Sequence, residues 1–275
     1  MLFVCYFAPH LHGVAYLRER RLPMRYVLKI AYDGTAYAGW QRQKNALSVQ
    51  EALENAVLSA LGEDIRITAS GRTDAGVHAA GQVCHFDSDK ITVPPEKMPD
   101  CLNRHLPVDI RAIEGWGADE DFDSNRSAKR KTYCYSLYVS GREMPLKDRY
   151  SVRVEDAPSL DILQAKAKLF EGEHDFKAFC ASGSSVKTTV RHVYQVRVEE
   201  GESYGSRDIK IFVTGNGFLY NMVRTMVGEL LDLAMERRTE ESLFTAYQTG
   251  ERNLLGKTMP AKGLTLIDVE YGGIK

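Results

Sequence analysis

Residues 71–79 read GRTDAGVHA and stage a single carboxylate, Asp74, between Arg72 and a turn glycine, Gly76, with few apolar side chains nearby to explain it by packing. A carboxylate framed in this way is a candidate for chemistry. Glycines at both ends allow tight or left-handed backbone and close approach of a ligand, and Arg72 and Thr73 offer donors for an anion or a phosphate. Gly-x-x-Asp-x-Gly is also ordinary turn chemistry, in which the aspartate accepts a backbone N–H. On this stretch alone the turn reading is the stronger, and the rest of the chain has to decide.

A second charge stands out far along the sequence. Leu219, Met222, Val223, Met226, Val227 and Leu230 form an apolar helical stripe over about 218–234, while Gly217, Asn221, Arg224 and Gly228 share another face. Arg224 is thus a charge on a helix that is otherwise mostly core. Its plainer reading is a surface arginine whose stem covers apolar neighbours.

Bulk charge does not select a partner, since 36 Lys+Arg balance 37 Asp+Glu for a net charge of -1. Local charge is more informative. Eight bases (Arg126, Lys129, Arg130, Lys131, Arg142, Lys147, Arg149, Arg153) stand against four acids (Asp121, Asp123, Glu143, Asp148) in 121–153, interleaved with Tyr133, Tyr135, Tyr138 and Tyr150. Such a mixture suits tracking a nucleic-acid backbone and stacking on bases, with Lys129 to Lys131 as candidate phosphate contacts. An ordinary solvated strand and loop would read the same way.

Other chemistries find little support. The five cysteines (Cys5, Cys84, Cys101, Cys134, Cys180) include no CxxC pair, and an odd number disfavours a disulfide framework, so they read as reduced thiols of a cytoplasmic protein. His10 and His12 lack a cysteine partner at zinc-ligand spacing, and no P-loop or dinucleotide fingerprint is present. The expected chemistry uses neither metal nor cofactor. Residues 1–23 are apolar and then basic, the reverse of a signal peptide, and too short to span a membrane. They read as a dispensable N-terminal extension, with an amphipathic docking segment as the alternative.

From Met24 the pattern is α+β. Tyr26, Leu28, Ile30 and Tyr32 alternate as a half-buried strand. Ser48 and Glu51 form a capping box ahead of a helical face of Val49, Leu53, Ala56, Val57 and Ala60, which Gly62 ends. Strands over 65–69 and 82–86 then bracket Asp74, so a rigid sheet would hold it from both sides. Tyr133 to Val139, Val190 to Val198 and Ile209 to Thr214 read as further strands, with a helix on Leu160, Leu163, Ala167 and Phe170 between them. Residues 24–120 are taken as an N-terminal half carrying the aspartate loop and 121–275 as a C-terminal half.

Ordered blocks across this region resemble the tRNA pseudouridine synthase A (TruA) family. They are Tyr32-Asp33-Gly34 with Gly39-Trp40-Gln41-Arg42-Gln43, Ser48-Val49-Gln50-Glu51, GRTDAGVHA, GQVCHF at 81–86, and Asn103 with Leu106-Pro107-Val108-Asp109-Ile110. Ser127-Ala128 with Lys131-Thr132-Tyr133-Cys134-Tyr135, Gly172-Glu173-His174-Asp175-Phe176, Met222-Val223-Arg224 with Gly228, and Gly263-Leu264-Thr265-Leu266 continue them. One short motif would be weak, but the ordered set is specific. It departs at Phe122-Asp123-Ser124-Asn125-Arg126-Ser127-Ala128, where the family usually has F-x-A-R-x-S-A, so that Asn125 stands in the arginine's place.

The resemblance implies an α+β pseudouridine synthase fold of two ferredoxin-like halves whose sheets join around a central cleft. It implies that Asp74 is the catalytic carboxylate, Tyr133 packs on the target base, Arg224 is the basic partner of Asp74, and Arg72 enters the space left by an extruded base. The implied partners are the tRNA anticodon stem-loop, with uridines at tRNA positions 38, 39 and 40 as targets, and a second copy of the chain in a homodimer; no membrane is involved.

The reaction fits those residues. Breaking the C1′–N1 bond, turning the uracil and rejoining it through C5 needs an ionised carboxylate and no redox chemistry. An aspartate with pKa about 3.9 is ionised at neutral pH, and an adjacent arginine is expected to lower that value further. Attack on C6, attack on C1′ and elimination to a glycal all remain open. An inert RNA-binding module would have no use for Asp74 or Arg224, and a glycosidase would need two working carboxylates where one is framed.

Overall fold

Tyr26, Leu28, Ile30 and Tyr32 are all buried along β1 (Met24–Tyr32), as the alternation expects, but Val27 on the other face is buried as well, so the strand is covered on both sides there rather than half-buried throughout. The computed structural model describes residues 23–181 and 187–272, and the expected extension lies outside the described residues up to residue 22. Beyond β1 the chain forms α1 (Val49–Leu61), β2 (Thr68–Ala69), β3 (His78–Ser88), α2 (Met98–Leu102), β4 (Ile110–Ala118) and β5 (Ala128–Val139). It continues through α3 (Pro145–Asp148), β6 (Val152–Val154), α4 (Leu160–Ala167), β7 (Gly172–Asp175), β8 (Val190–Ser203) and β9 (Ser206–Gly215). α5 (Met222–Ala234), α6 (Glu240–Thr249) and β10 (Leu264–Tyr271) complete it.

The fold is α+β, and the ten strands of the described residues share one mixed sheet in the order β4-β1-β3-β10-β5-β9-β8-β7, with β2 on β3 and β6 on β5. The last strand is the joint. β10 runs parallel to β3, pairing Leu266 with Ala79, and antiparallel to β5, pairing the same Leu266 with Tyr133. Neighbouring strands lie about 4.8 Å apart, so the strand that leaves the Asp74 loop and the strand that carries Tyr133 are separated by only about 10 Å.

Helix boundaries follow local chemistry. Ser48 Oγ accepts from Glu51 N at 3.3 Å to start α1, and Gly62 at φ 71 ends it in the left-handed region. α5 buries the expected stripe, including Met222, Val223, Met226, Val227 and Leu230. It starts at Met222 rather than near Phe218 because Asn221, at φ 66, cannot extend a right-handed helix. The strand expected over 65–69 shrinks to Thr68–Ala69 because Ile67 bonds to α1 side chains: Glu54 Oε1 accepts its N–H at 3.2 Å and Gln50 Nε2 donates to its carbonyl at 3.1 Å. Among the described residues no helix is long and apolar enough to cross a membrane.

Candidate active site

The loop between β2 and β3 is held along its whole length. At its start Gln82, fully buried on β3, accepts from Ser70 Oγ at 2.5 Å and donates Nε2 to the Gly71 carbonyl at 2.9 Å. In the middle Tyr32 Oη meets Thr73 Oγ1 at 2.7 Å, and Trp40 N donates to the Thr73 carbonyl at 3.0 Å. After Asp74 the chain reverses: Val77 N donates to the Asp74 carbonyl at 3.1 Å, with Gly76 at φ 78 supplying the left-handed residue of the turn. The Tyr32 and Gly39-Trp40 blocks are therefore a cradle for the loop.

Gly39 shows how tight that cradle is. It sits at φ 90, and a Cβ built on it would lie 2.5 Å from the Thr73 carbonyl oxygen. Gly39→Ala is expected to destabilise the fold by about 1–3 kcal/mol or more through strain and clash together. Thermal melts alongside single-turnover rates check this, and the rate should fall even in the fraction that remains folded, because the loop must shift. An unchanged melting temperature would show that the cradle yields.

The loop aims the Asp74 carboxylate at α5. Arg224 Nη1 lies 3.3 Å from Asp74 Oδ2, with the two side chains 17% and 19% exposed, so the pair is largely screened from water yet open at one edge. The same guanidinium donates Nε to the Met259 carbonyl at 2.7 Å and Nη1 to Asn221 Oδ1 at 2.8 Å. Arg224 is thus no surface arginine. Burial pushes the Asp74 carboxyl above its ordinary value, and Arg224 pulls the other way. The net shift is upward, not the lowering expected from an adjacent arginine, because desolvation of the half-buried carboxylate outweighs one neighbouring charge.

Tyr133 lies on β5 with its ring edge-on to Phe218, centroids 5.2 Å apart, and it is 8% exposed. Its hydroxyl is pushed up, first by burial and then by the nearby Tyr32 and Asp74, so it stays protonated at neutral pH. Arg72, two residues before Asp74, is exposed and has no ion-pair or side-chain hydrogen-bond partner among the described residues. The structure therefore brings Asp74, Arg224 and Tyr133 together and leaves Arg72 free at the rim. Asn221 and Met259, which fix Arg224, carry no such signal in the sequence beyond their nearness to the helix and to β10.

A family model described as tRNA pseudouridine synthase matches residues 29–122 and 166–272. The chain belongs to that family. A tRNA pseudouridine synthase A of Shouchella clausii is 39% identical over 249 residues, covering 90% of this chain and 94% of the relative. One of Ruminiclostridium cellulolyticum is 41% identical over 244 residues, covering 89% and 98%, and one of Pelobacter propionicus is 42% identical over 245 residues with the same coverage. Membership makes this chain an isomerase of the tRNA pseudouridine synthase family, and the α+β fold agrees.

Within that family frame the segment around Asn125 has its own chemistry. Asp123 Oδ1 accepts the backbone N–H groups of Asn125 and Arg126 at 2.8 and 2.9 Å, forming a tight turn. Arg126 faces solvent. Lys131, expected on the basic surface, is instead buried, since on β5 it points to the opposite face from Arg130. Its Nζ donates to the Ser70 carbonyl and lies 3.4 Å from Asn125 Oδ1, and burial pulls its pKa down to about 8. A neutral amide at Asn125 suits a buried ammonium that has no carboxylate within 4.0 Å among the described residues.

Proposed function

We propose that this chain isomerises uridine to pseudouridine in the anticodon stem-loop of tRNA, at positions 38, 39 and 40, with Asp74 as its catalytic carboxylate. The observation that carries the reading is the Asp74–Arg224 pair at 3.3 Å, built from a loop and a helix 150 residues apart, with Tyr133 near enough for its hydroxyl to feel the Asp74 charge. Addition of Asp74 to C6, its attack on C1′ with departure of N1, and its support of elimination to a glycal all draw on the same ionised carboxylate. Extruding the target base costs a few kcal/mol, and stacking on an aromatic such as Tyr133 returns about 1–3 kcal/mol. Arg72, free at the rim, fits a side chain that fills the place of the extruded base.

Several targets on one stem favour recognition of shape and backbone over strict base readout. Exposed Lys129 and Arg130, the latter with its guanidinium 5.0 Å over the Tyr194 ring, are the phosphate contacts of this reading. Neutralising both should lessen the log–log salt slope of tRNA binding by about 0.7–0.9 for each phosphate that is no longer neutralised. Lys131→Gln should instead lower the melting temperature with little change in slope, because its amine holds the Ser70 carbonyl. A slope that responds only to Lys131 would reverse this assignment.

In this reading the chain acts as a homodimer in the cytoplasm. The test of the whole is tritium release from C5-labelled uridine, using unmodified tRNAs that carry a single uridine at 38, 39 or 40. Release from these three, and none from a tRNA lacking uridine there, is the expected result. Release confined to other positions would overturn the site assignment.

A further inference from the structure

α5 begins in an unusual way. An asparagine before the first helical residue normally adopts extended backbone and turns its side-chain oxygen onto an N–H of the first turn. Asn221 does neither: its backbone is left-handed at φ 66 and ψ -2, and its side chain makes no capping bond. Tyr204, Asn221 and Glu236 are the only non-glycine residues with positive φ among the described residues. The oxygen that would have capped the helix accepts from Arg224 Nη1 at 2.8 Å, closer than the 3.3 Å from that nitrogen to Asp74 Oδ2.

The geometry points to Asn221 as a positioning residue that acts on the reaction through Arg224. Nη1 carries two hydrogens, and committing one to Asn221 Oδ1 directs the other toward Asp74. Nε is fixed independently on the Met259 carbonyl at 2.7 Å, so two points set the plane of the rigid guanidinium fork. A neutral acceptor is what this place requires. A carboxylate there would share the arginine's charge and add a second anion beside Asp74, while a residue without an acceptor would leave Nη1 free to turn away. Left-handed backbone is accessible to asparagine, so this residue type can satisfy both the turn and the arginine. The inference rests on the proposed role of the Asp74–Arg224 pair and extends it to a residue that does not touch the carboxylate.

Asn221→Gly separates the two functions of the residue, because glycine keeps the left-handed turn and removes only the acceptor. The variant should melt within a few degrees of wild type and bind tRNA within about threefold, while its single-turnover rate falls roughly 10- to 100-fold, as misplaced catalytic geometry does. Its rate should also begin to fall at a higher pH than wild type as the solution is acidified, since a poorly aimed Arg224 no longer holds the proton off Asp74. Asn221→Asp should move that acid limb further in the same direction. In the Arg224→Met background, Asn221→Gly should add little, because the group it acts through is gone.

A wild-type rate and acid limb in Asn221→Gly would overturn the inference. So would a full additional loss in the Arg224→Met background, which would mark a structural role. Asp74→Asn measured in parallel distinguishes the deeper failure: if that variant turns over normally, the reading of the site falls, whereas an inactive Asp74→Asn beside an unaffected Asn221→Gly removes Asn221 alone.

Discussion

Asp74→Asn is expected to lower single-turnover pseudouridine formation by roughly 10³-fold or more, the scale seen when a group central to the chemistry is removed. tRNA affinity should stay within about threefold. The substitution keeps the size of the side chain and removes its charge. Every other support of the loop runs through groups the change does not touch: Gln82 on Gly71, Tyr32 and Trp40 on Thr73, and Val77 on the Asp74 backbone carbonyl. The loop should therefore keep its shape, and removing one negative charge does not add repulsion toward a polyanion. Purified variant should be checked by mass for deamidation, which regenerates aspartate. Turnover near the wild-type rate in protein free of aspartate at this position would remove Asp74 from the mechanism. The wild-type rate should itself fall on acidification at a pH above that of an ordinary aspartate, because burial raises the Asp74 carboxyl.

What the sequence disclosed depended on whether the signal was local. The Ser48 cap and Gly62 stop of α1 and the apolar stripe of α5 are set within a few residues and appear as expected; the buried face of β1 does too, although Val27 on its other face is also covered, by packing that alternation does not encode. The GRTDAGVHA loop was legible as a turn and, with the ordered blocks around it, as a family signature. Its partner was not legible from physics alone. Arg224 reaches Asp74 because β10 enters the sheet between β3 and β5 and because Met259, just ahead of that strand, takes Nε. No period or spacing encodes that arrangement. α6 and β10 carry little sequence signal, because α6 buries only Leu243 and Ala246 and β10 buries only Leu264, Leu266 and Val269.

The Lys129 to Lys131 run shows the opposite failure. Three adjacent cations read as one surface, yet Lys131 turns to the opposite face from Arg130 and ends beneath the loop, while Lys129, at the register shift between Arg130 and Ala128, stays exposed. Likewise the sign of the Asp74 shift could not come from residue identity. An arginine beside a carboxylate lowers its pKa only if burial does not outweigh it, and burial belongs to the folded state.

Arg224→Lys should retain more activity than Arg224→Met, and both less than wild type. Lysine keeps a positive charge but cannot meet Met259, Asn221 and Asp74 at once as the planar fork does, so its rate should fall about 10-fold; methionine removes the charge as well and should lose about 10²- to 10³-fold. The pH dependence carries the sign. Arg224 opposes the upward effect of burial on Asp74, so without it the carboxyl titrates at still higher pH and the ionised form is lost sooner on acidification. The deficit of Arg224→Met should therefore widen as pH falls, while the difference that remains on the alkaline plateau reports lost geometry. Arg224→Lys should lie between the two, with an acid limb closer to wild type. If Arg224 served packing, methionine would replace it better than lysine, and the ratio to wild type would be the same at every pH. Single-turnover rates for the three proteins across the acid limb decide it: equal or pH-independent ratios would dissolve the pairing, because a charge that holds a proton off Asp74 must matter most where that proton returns.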